Sequence, residues 1–385
     1  MLSSLLLATS LLCPPSDCVA PSAEVPVVSL AAVNTPRPID LAICLDTSGS
    51  MNGLIDSARA KLWDIVNDLA LAQPRPELRV ALLTFGNNGH VAENGWVKVD
   101  VDFTDDLDLV SERLFALTIN GGEEYVARVV DAATRSLKWS DQKDALQMII
   151  VAGNESAEQD PLLPFRDALK RAIERGIVVN SIYCGMPSDS LAPAWREVAT
   201  LADGHFASID QSLGATAIAT PFDEELTSLS SAINATYLPF GAAGAWSASN
   251  QMRQDANAEG LNEAAAAQRC VTKGSELYSC SGWDLVDASK GETFKLEEVK
   301  DEHLPEAMRS MTLEERNAHI TAAAATRSEL QKSIVELGEK RRAFVVVEEQ
   351  KQASEGGKSF DAAIRTAIRA QASGKGFIWP EIATR

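Results

Sequence analysis

The chain has 385 residues, more than one ordinary domain requires, so two regions are expected. Hydrophobic residues make up 45% of it, a globular proportion, and no internal stretch is long and apolar enough to span a bilayer. With 35 Lys and Arg against 54 Asp and Glu the net charge is −19, which argues against nucleic acid and anionic membrane surfaces and suits cations or basic partners.

Residues 1–12, MLSSLLLATSLL, form a short apolar run, and the small residues ending at Ala20 offer a cleavage site. Residues 1–20 read as a signal-peptide-like leader, although no Lys or Arg precedes the apolar run, and the expectation is an exported protein: periplasmic, envelope-associated or secreted. A Pro-rich tether, 21–38, follows. No Cys or His spacing suggests zinc. Cys44 and Cys184 sit in apolar runs and read as buried thiols; for Cys270 and Cys280 a local disulfide and free thiols are both open.

From 39 to 240 strand-like and helix-like runs alternate. The strands are expected at 40–45, 79–85, 97–103, 146–152, 177–184 and 205–209. Helices are expected at 54–72, 105–116, 123–138, 161–174, 193–202 and 223–236. In the first, Leu54, Ala58, Leu62, Ile65 and Leu69 recur at helical spacing and predict one buried stripe. Runs such as MIIV and IVV are apolar on both faces, as strands are when helices cover both sides of a sheet. The pattern predicts a doubly wound, mostly parallel six-stranded sheet. The loop GNNGHVAENGW is too short for a crossover helix, so 79–85 and 97–103 should pair as a hairpin and give one antiparallel edge strand. Asp102, Asp105, Asp106 and Asp108 read as a solvated helix start.

Residues 241–385 change character and predict an α-helical C-terminal region. AEGLNEAAAAQRC looks helical. Thr312 and Glu315 form a capping box for a long helix running to about 352. SEGG at 354–357 breaks it, and SFDAAIRTAIRAQ makes a last amphipathic helix with Phe360, Ile364 and Ile368 on one face. EGGKS ends like a phosphate-binding loop, but Ala353 stands where that motif needs Gly and no strand precedes it.

The chemistry is concentrated in LDTSGSM, where the first strand runs into its helix. Ligands of open parallel sheets sit at the carboxyl ends of the strands. Asp46, Ser48 and Ser50 put a carboxylate and two hydroxyls on one tight turn there, an all-oxygen set suited to a hard divalent cation. The plain alternative is a helix cap, for which Asp and Ser are also the preferred residues.

Asp46, Ser48 and Ser50 match the D-x-S-x-S motif of the von Willebrand factor type A domain, and the strand–helix order of 39–240 resembles that family throughout. The resemblance covers about half of the chain and implies a metal-ion-dependent adhesion site holding Mg²⁺, Mn²⁺ or Ca²⁺. By that resemblance the serines ligate the metal and Asp46 acts through water. Two positions depart from the family pattern. Glu123, after Gly121 and Gly122, stands where a Thr is usual, and Gly153 stands where an Asp is usual, with Asn154 and Glu155 the nearest oxygens. The expected ligand set is therefore Asp46, Ser48, Ser50, Glu123 and Asn154, with Glu123 compensating for the missing Asp. A second directly bound carboxylate would weaken the ion's attraction for a partner's acid.

The function these readings imply is metal-dependent protein binding, with a partner's carboxylate as one possible contact. The alternative is a scaffold whose metal site has decayed and whose helical tail makes the contacts. No nucleophile–base pair is visible, so catalysis is not expected. No transmembrane helix is expected in the mature chain, and the oligomeric state is open.

Overall fold

The computed structural model describes residues 36–209, 217–352 and 360–380. The leader, nearly all of the tether and the helix break at 354–357 lie outside the described residues. Six strands form one sheet: β1 (Arg37–Asp46), β2 (Pro76–Phe85), β3 (Lys98–Thr104), β4 (Leu146–Gly153), β5 (Val178–Tyr183) and β6 (Phe206–Ser208), in the order β3-β2-β1-β4-β5-β6. All neighbours are parallel except β2 and β3, which form the expected antiparallel pair. β1 begins at Arg37, inside the range read as tether.

Eleven α-helices are described, numbered in chain order. In the sheet domain they are α1 (Asn52–Leu69), α2 (Leu107–Phe115), α3 (Val126–Ser136), α4 (Phe165–Glu174), α5 (Ala192–Thr200) and α6 (Asp223–Asn234). The tail adds α7 (Gly244–Leu261), α8 (Glu263–Gly274), α9 (Leu285–Ala288), α10 (Leu313–Gln352) and α11 (Phe360–Gly374). The run expected as one helix near 258–270 is two helices, because Asn262 leaves the helical conformation and caps α8, its side chain accepting from the Ala265 amide at 2.9 Å. The Thr312–Glu315 capping box is formed, with the Glu315 carboxylate accepting from the Thr312 amide at 2.7 Å.

Alternation along β1 divides the core. Ala42 and Cys44 pack with α3, α4 and α5 on one face. Leu41, Ile43 and Leu45 pack on the other with α1 and α2, and the predicted stripe of α1 is buried there. The tail completes that second face: Ala258, Ala267, Cys270, Ile334, Ile364, Ile368 and Phe377 belong to the same apolar cluster as β1. Ile364 and Ile368 are fully buried, each contributing roughly 2 kcal/mol by area.

Polar pairs fix the tail in register. On α10, Ile320, Arg327, Ile334 and Arg341 are buried at seven-residue spacing, one helix face alternating apolar and cationic residues. Arg327 is paired with Asp284 at 2.6 Å, and Arg341 with Asp223 at 2.8 Å. Arg269 on α8 lies over Trp63 of α1, 4.5 Å from its ring centre, and bonds Asp108 at 2.7 Å and Asp255 at 2.8 Å. Asp108 is therefore not part of a solvated helix start: it is buried, ion-paired, and accepts the Tyr278 hydroxyl at 2.6 Å. Asp106 does cap α2, its carboxylate accepting from the Leu109 amide. Arg369 of α11 holds Asp68 at the far end of α1.

All four described cysteines are buried free thiols, so Cys270 and Cys280 are not bonded to each other. Burial raises the Cys270 pKa to about 12. Among the described residues no helix is long and apolar enough to cross a membrane.

Candidate metal centre

β1 lies at the centre of the sheet, between β2 on one side and β4 on the other. After β1 the chain builds outward through β2 and β3, then returns to build through β4, β5 and β6. This reversal opens a crevice at the carboxyl ends of β1 and β4. Asp46 is level with Phe85 of β2, and Leu45 with Ala152 of β4, so Asp46 and Gly153 share the same rim.

The turn after β1 is tied down before it reaches α1. The Asp46 Oδ1 accepts from the Ser48 amide at 2.8 Å. Thr47 faces away, its hydroxyl donating to the Phe85 carbonyl at 3.0 Å. The Ser48 and Ser50 hydroxyl oxygens are 3.4 Å apart, and Asn154 donates through Nδ2 to Ser50 Oγ at 2.9 Å. Asp46, Ser48, Ser50 and Asn154 are thus brought together as expected from the sequence.

Glu123 is not brought in with them. It is exposed, and its charge acts on the Tyr125 hydroxyl. The carboxyl that enters is Glu124, which is buried and close enough to Asp46 and Ser48 to interact electrostatically with both. The cause lies in the backbone. A Cβ on Gly122 would stand 2.6 Å from the Gly86 carbonyl oxygen, so the two glycine loops are in contact there and the chain continues one residue before a side chain points inward. The Glu124 amide is then fixed by Gln159 Oε1 at 2.9 Å. On the other side of the loop, Arg59 of α1 donates to the carbonyls of Leu114 and Leu117 at 3.2 and 2.8 Å, holding the exit of α2.

Gly86 has φ +73°, and a Cβ there would lie 2.8 Å from both Asp46 Oδ1 and Glu124 Cγ. A Cβ on Gly153 would lie 3.2 Å from Asp46 Oδ2. Small residues therefore wall the acid pair closely, and the absent Asp at position 153 leaves room for it.

The electrostatics mark the pair as incomplete. Asp46 Oδ2, Glu124 Oε2 and Asn154 Oδ1 are buried with no hydrogen-bond partner among the described residues. Burial, then the charge of Asp46, raises the Glu124 pKa to about 9; burial also raises that of Asp46, and Glu155 adds repulsion to both. Two carboxyls this close need a proton or a cation between them. Asp46, Glu124, two serine hydroxyls and the Asn154 amide oxygen fit a hard cation. Among the described residues no group of three or more His, Cys, Asp or Glu could hold a metal, so such a site depends on its hydroxyl and amide oxygens.

The family model for the von Willebrand factor type A domain matches residues 40–215. Those residues are a von Willebrand factor type A (VWA) domain. Among solved structures, the chain is similar to the SpRpn10 VWA domain, at 19% identity over 47% of this chain and 98% of that one, with a TM-score of 0.35. It is also similar to proximal thread matrix protein 1 of the mussel byssus with a zinc-occupied MIDAS motif (14% identity, 47% of this chain and 43% of that one, TM-score 0.36). A third is the pilus adhesin SpaC of Lactobacillus rhamnosus GG in its open conformation (13% identity, 46% and 28%, TM-score 0.34). The matched region thus spans less than half of the byssus protein and of the adhesin. No curated protein matches the chain. VWA domains are commonly protein-interaction modules that carry a divalent metal at such a site.

Proposed function

We propose that this protein is a metal-dependent protein-binding module whose VWA domain presents a cation at the tips of β1 and β4. The observation that carries the reading is the pair of unpartnered buried oxygens, Asp46 Oδ2 and Glu124 Oε2. Asp46, Ser48, Ser50, Glu124 and Asn154 would hold Mg²⁺ or Mn²⁺, Glu124 taking the role first expected of Glu123. When bound, the cation supplies a Lewis-acidic position for an oxygen ligand of the partner. The protein's own residues do the rest: the Ser48 amide orients Asp46, Gln159 positions Glu124, and Asn154 steers the Ser50 hydroxyl. Two carboxylates temper the ion's pull on a partner's acid.

Among the described residues, Gly49 and Ser50 at the site are exposed, and the tail holds the opposite end of α1. Asp68, held by Arg369, lies at the carboxyl end of α1, and the site lies at its amino end. The apolar run at 1–12 supports export, which would place the docking face outside the cytosol.

The competing reading is a decayed site in which a proton shared by Asp46 and Glu124 replaces the metal. The raised Glu124 pKa favours it. Immobilised full-length protein, exposed to extracts of its source with Mn²⁺ or with EDTA, separates the two. Metal-dependent capture of a defined partner, abolished by Ser48→Ala, supports the module. Capture that persists in EDTA and in Ser48→Ala assigns the contacts to the decayed-site scaffold.

A further inference from the structure

A second cavity, of about 290 Å³, adjoins the metal-site loops on the β2–β3 side. Thr47 and Asn87 wall it, and both belong to the loops that carry the site: Asn87 donates to the Thr118 carbonyl at 2.9 Å and follows Gly86. The rest of the lining mixes polar groups with Gly89, Ala116 and Leu117, and three side chains in it can be cationic: His90, Lys98 and Arg113. In a chain of net charge −19 this is a local reversal of sign.

The single acid in the lining, Asp100, is already satisfied. One of its oxygens accepts the Thr84 hydroxyl at 2.6 Å, and the other faces the Lys98 ammonium at 2.5 Å. His90 Nδ1 is bonded to the Trp96 carbonyl at 3.1 Å, which makes it the protonated ring nitrogen and leaves Nε2 without a partner among the described residues. Arg113 has neither a hydrogen bond nor an ion pair among the described residues. Its guanidinium offers a fork of N–H donors at the edge of a cavity whose own acid is neutralised.

The geometry points to a carboxylate-binding subsite centred on Arg113, flanking the metal position and separate from it. A planar carboxylate is the anion that matches the guanidinium fork in two parallel hydrogen bonds, and the volume admits a short acidic side chain. Its source is either a small free acid or an Asp or Glu of the docked partner. The subsite does not depend on the cation, because none of its charged groups belongs to the Asp46–Glu124 pair.

The test is a titration of the full-length protein in EDTA, followed through the His90 ring resonances by NMR. Glutarate is one ligand, and an acetylated, amidated peptide with a single Glu is the other. Saturable shifts are expected, and Arg113→Glu should weaken binding at least about tenfold, with Arg113→Gln intermediate. Binding of glutarate alone assigns the site to small acids; binding of the peptide as well assigns it to a partner's side chain. No saturable shift with either ligand, or unchanged affinity in Arg113→Glu, overturns the subsite. Since metal is chelated throughout, that failure would leave the cation reading untouched.

Discussion

At the scale of single residues, the Asp46–Glu124 pair gives opposite predictions for stability and binding. Glu124 titrates near 4.5 when exposed and near 9 in the cation-free fold, so the folded state holds the proton more tightly. Its contribution to stability is therefore complete below about pH 4.5 and is lost as pH rises through about 9. Melting temperature without metal should fall across that window, and saturating Mg²⁺ should restore it at the alkaline end by binding only the folded state. Glu124→Gln should flatten the pH dependence and stabilise the cation-free protein near pH 8 while weakening its hold on metal. A variant as pH-sensitive as the parent in thermal melts would contradict this. Gly86→Ala is the steric counterpart. It forces a left-handed conformation and a Cβ into Asp46 and Glu124, and should cost about 1–3 kcal/mol in chemical denaturation.

Elements were legible in the sequence where periodicity is strong. The α1 stripe, the two-faced strands and the β2–β3 hairpin follow from apolar spacing and a Gly/Asn loop, and Asp46, Ser48 and Ser50 could be placed because a strand end and a helix start bracket them. The third loop was not legible to one residue. The helix expected from 123 begins at Val126, and the loop before it has no periodicity to fix which of two adjacent acids turns inward. The deciding contact, Gly122 against the Gly86 carbonyl, lies between segments far apart in sequence. Asp108 failed for the same reason, its partner Arg269 being on a distant helix. That pairing makes a prediction at this scale. Arg269→Ala leaves Asp108 and Asp255 buried with a lost partner, and should destabilise by about 3–5 kcal/mol in urea.

Across the whole molecule, the tail is part of one core and not an appended arm. Ile334, Ile364, Ile368 and Phe377 share an apolar cluster with β1 and α1, and Asp68, Asp108 and Asp223 of the sheet domain each receive an arginine from the tail. The full chain should unfold in one transition, and a fragment ending at 240 should expose this face, bind a hydrophobic dye and aggregate. A soluble, cooperatively folding fragment would show that the sheet domain is self-sufficient. The union fixes one end of the domain, and at the β1–β4 tips the account stands or falls on which oxygens hold a cation. Calorimetric titration of Mn²⁺ into the parent, Glu123→Ala and Glu124→Ala proteins tests this most directly. The account predicts one saturable site in the parent, the same site in Glu123→Ala, and a loss of at least about tenfold in Glu124→Ala. No saturable binding by the parent, or a loss in Glu123→Ala with Glu124→Ala unchanged, would contradict it.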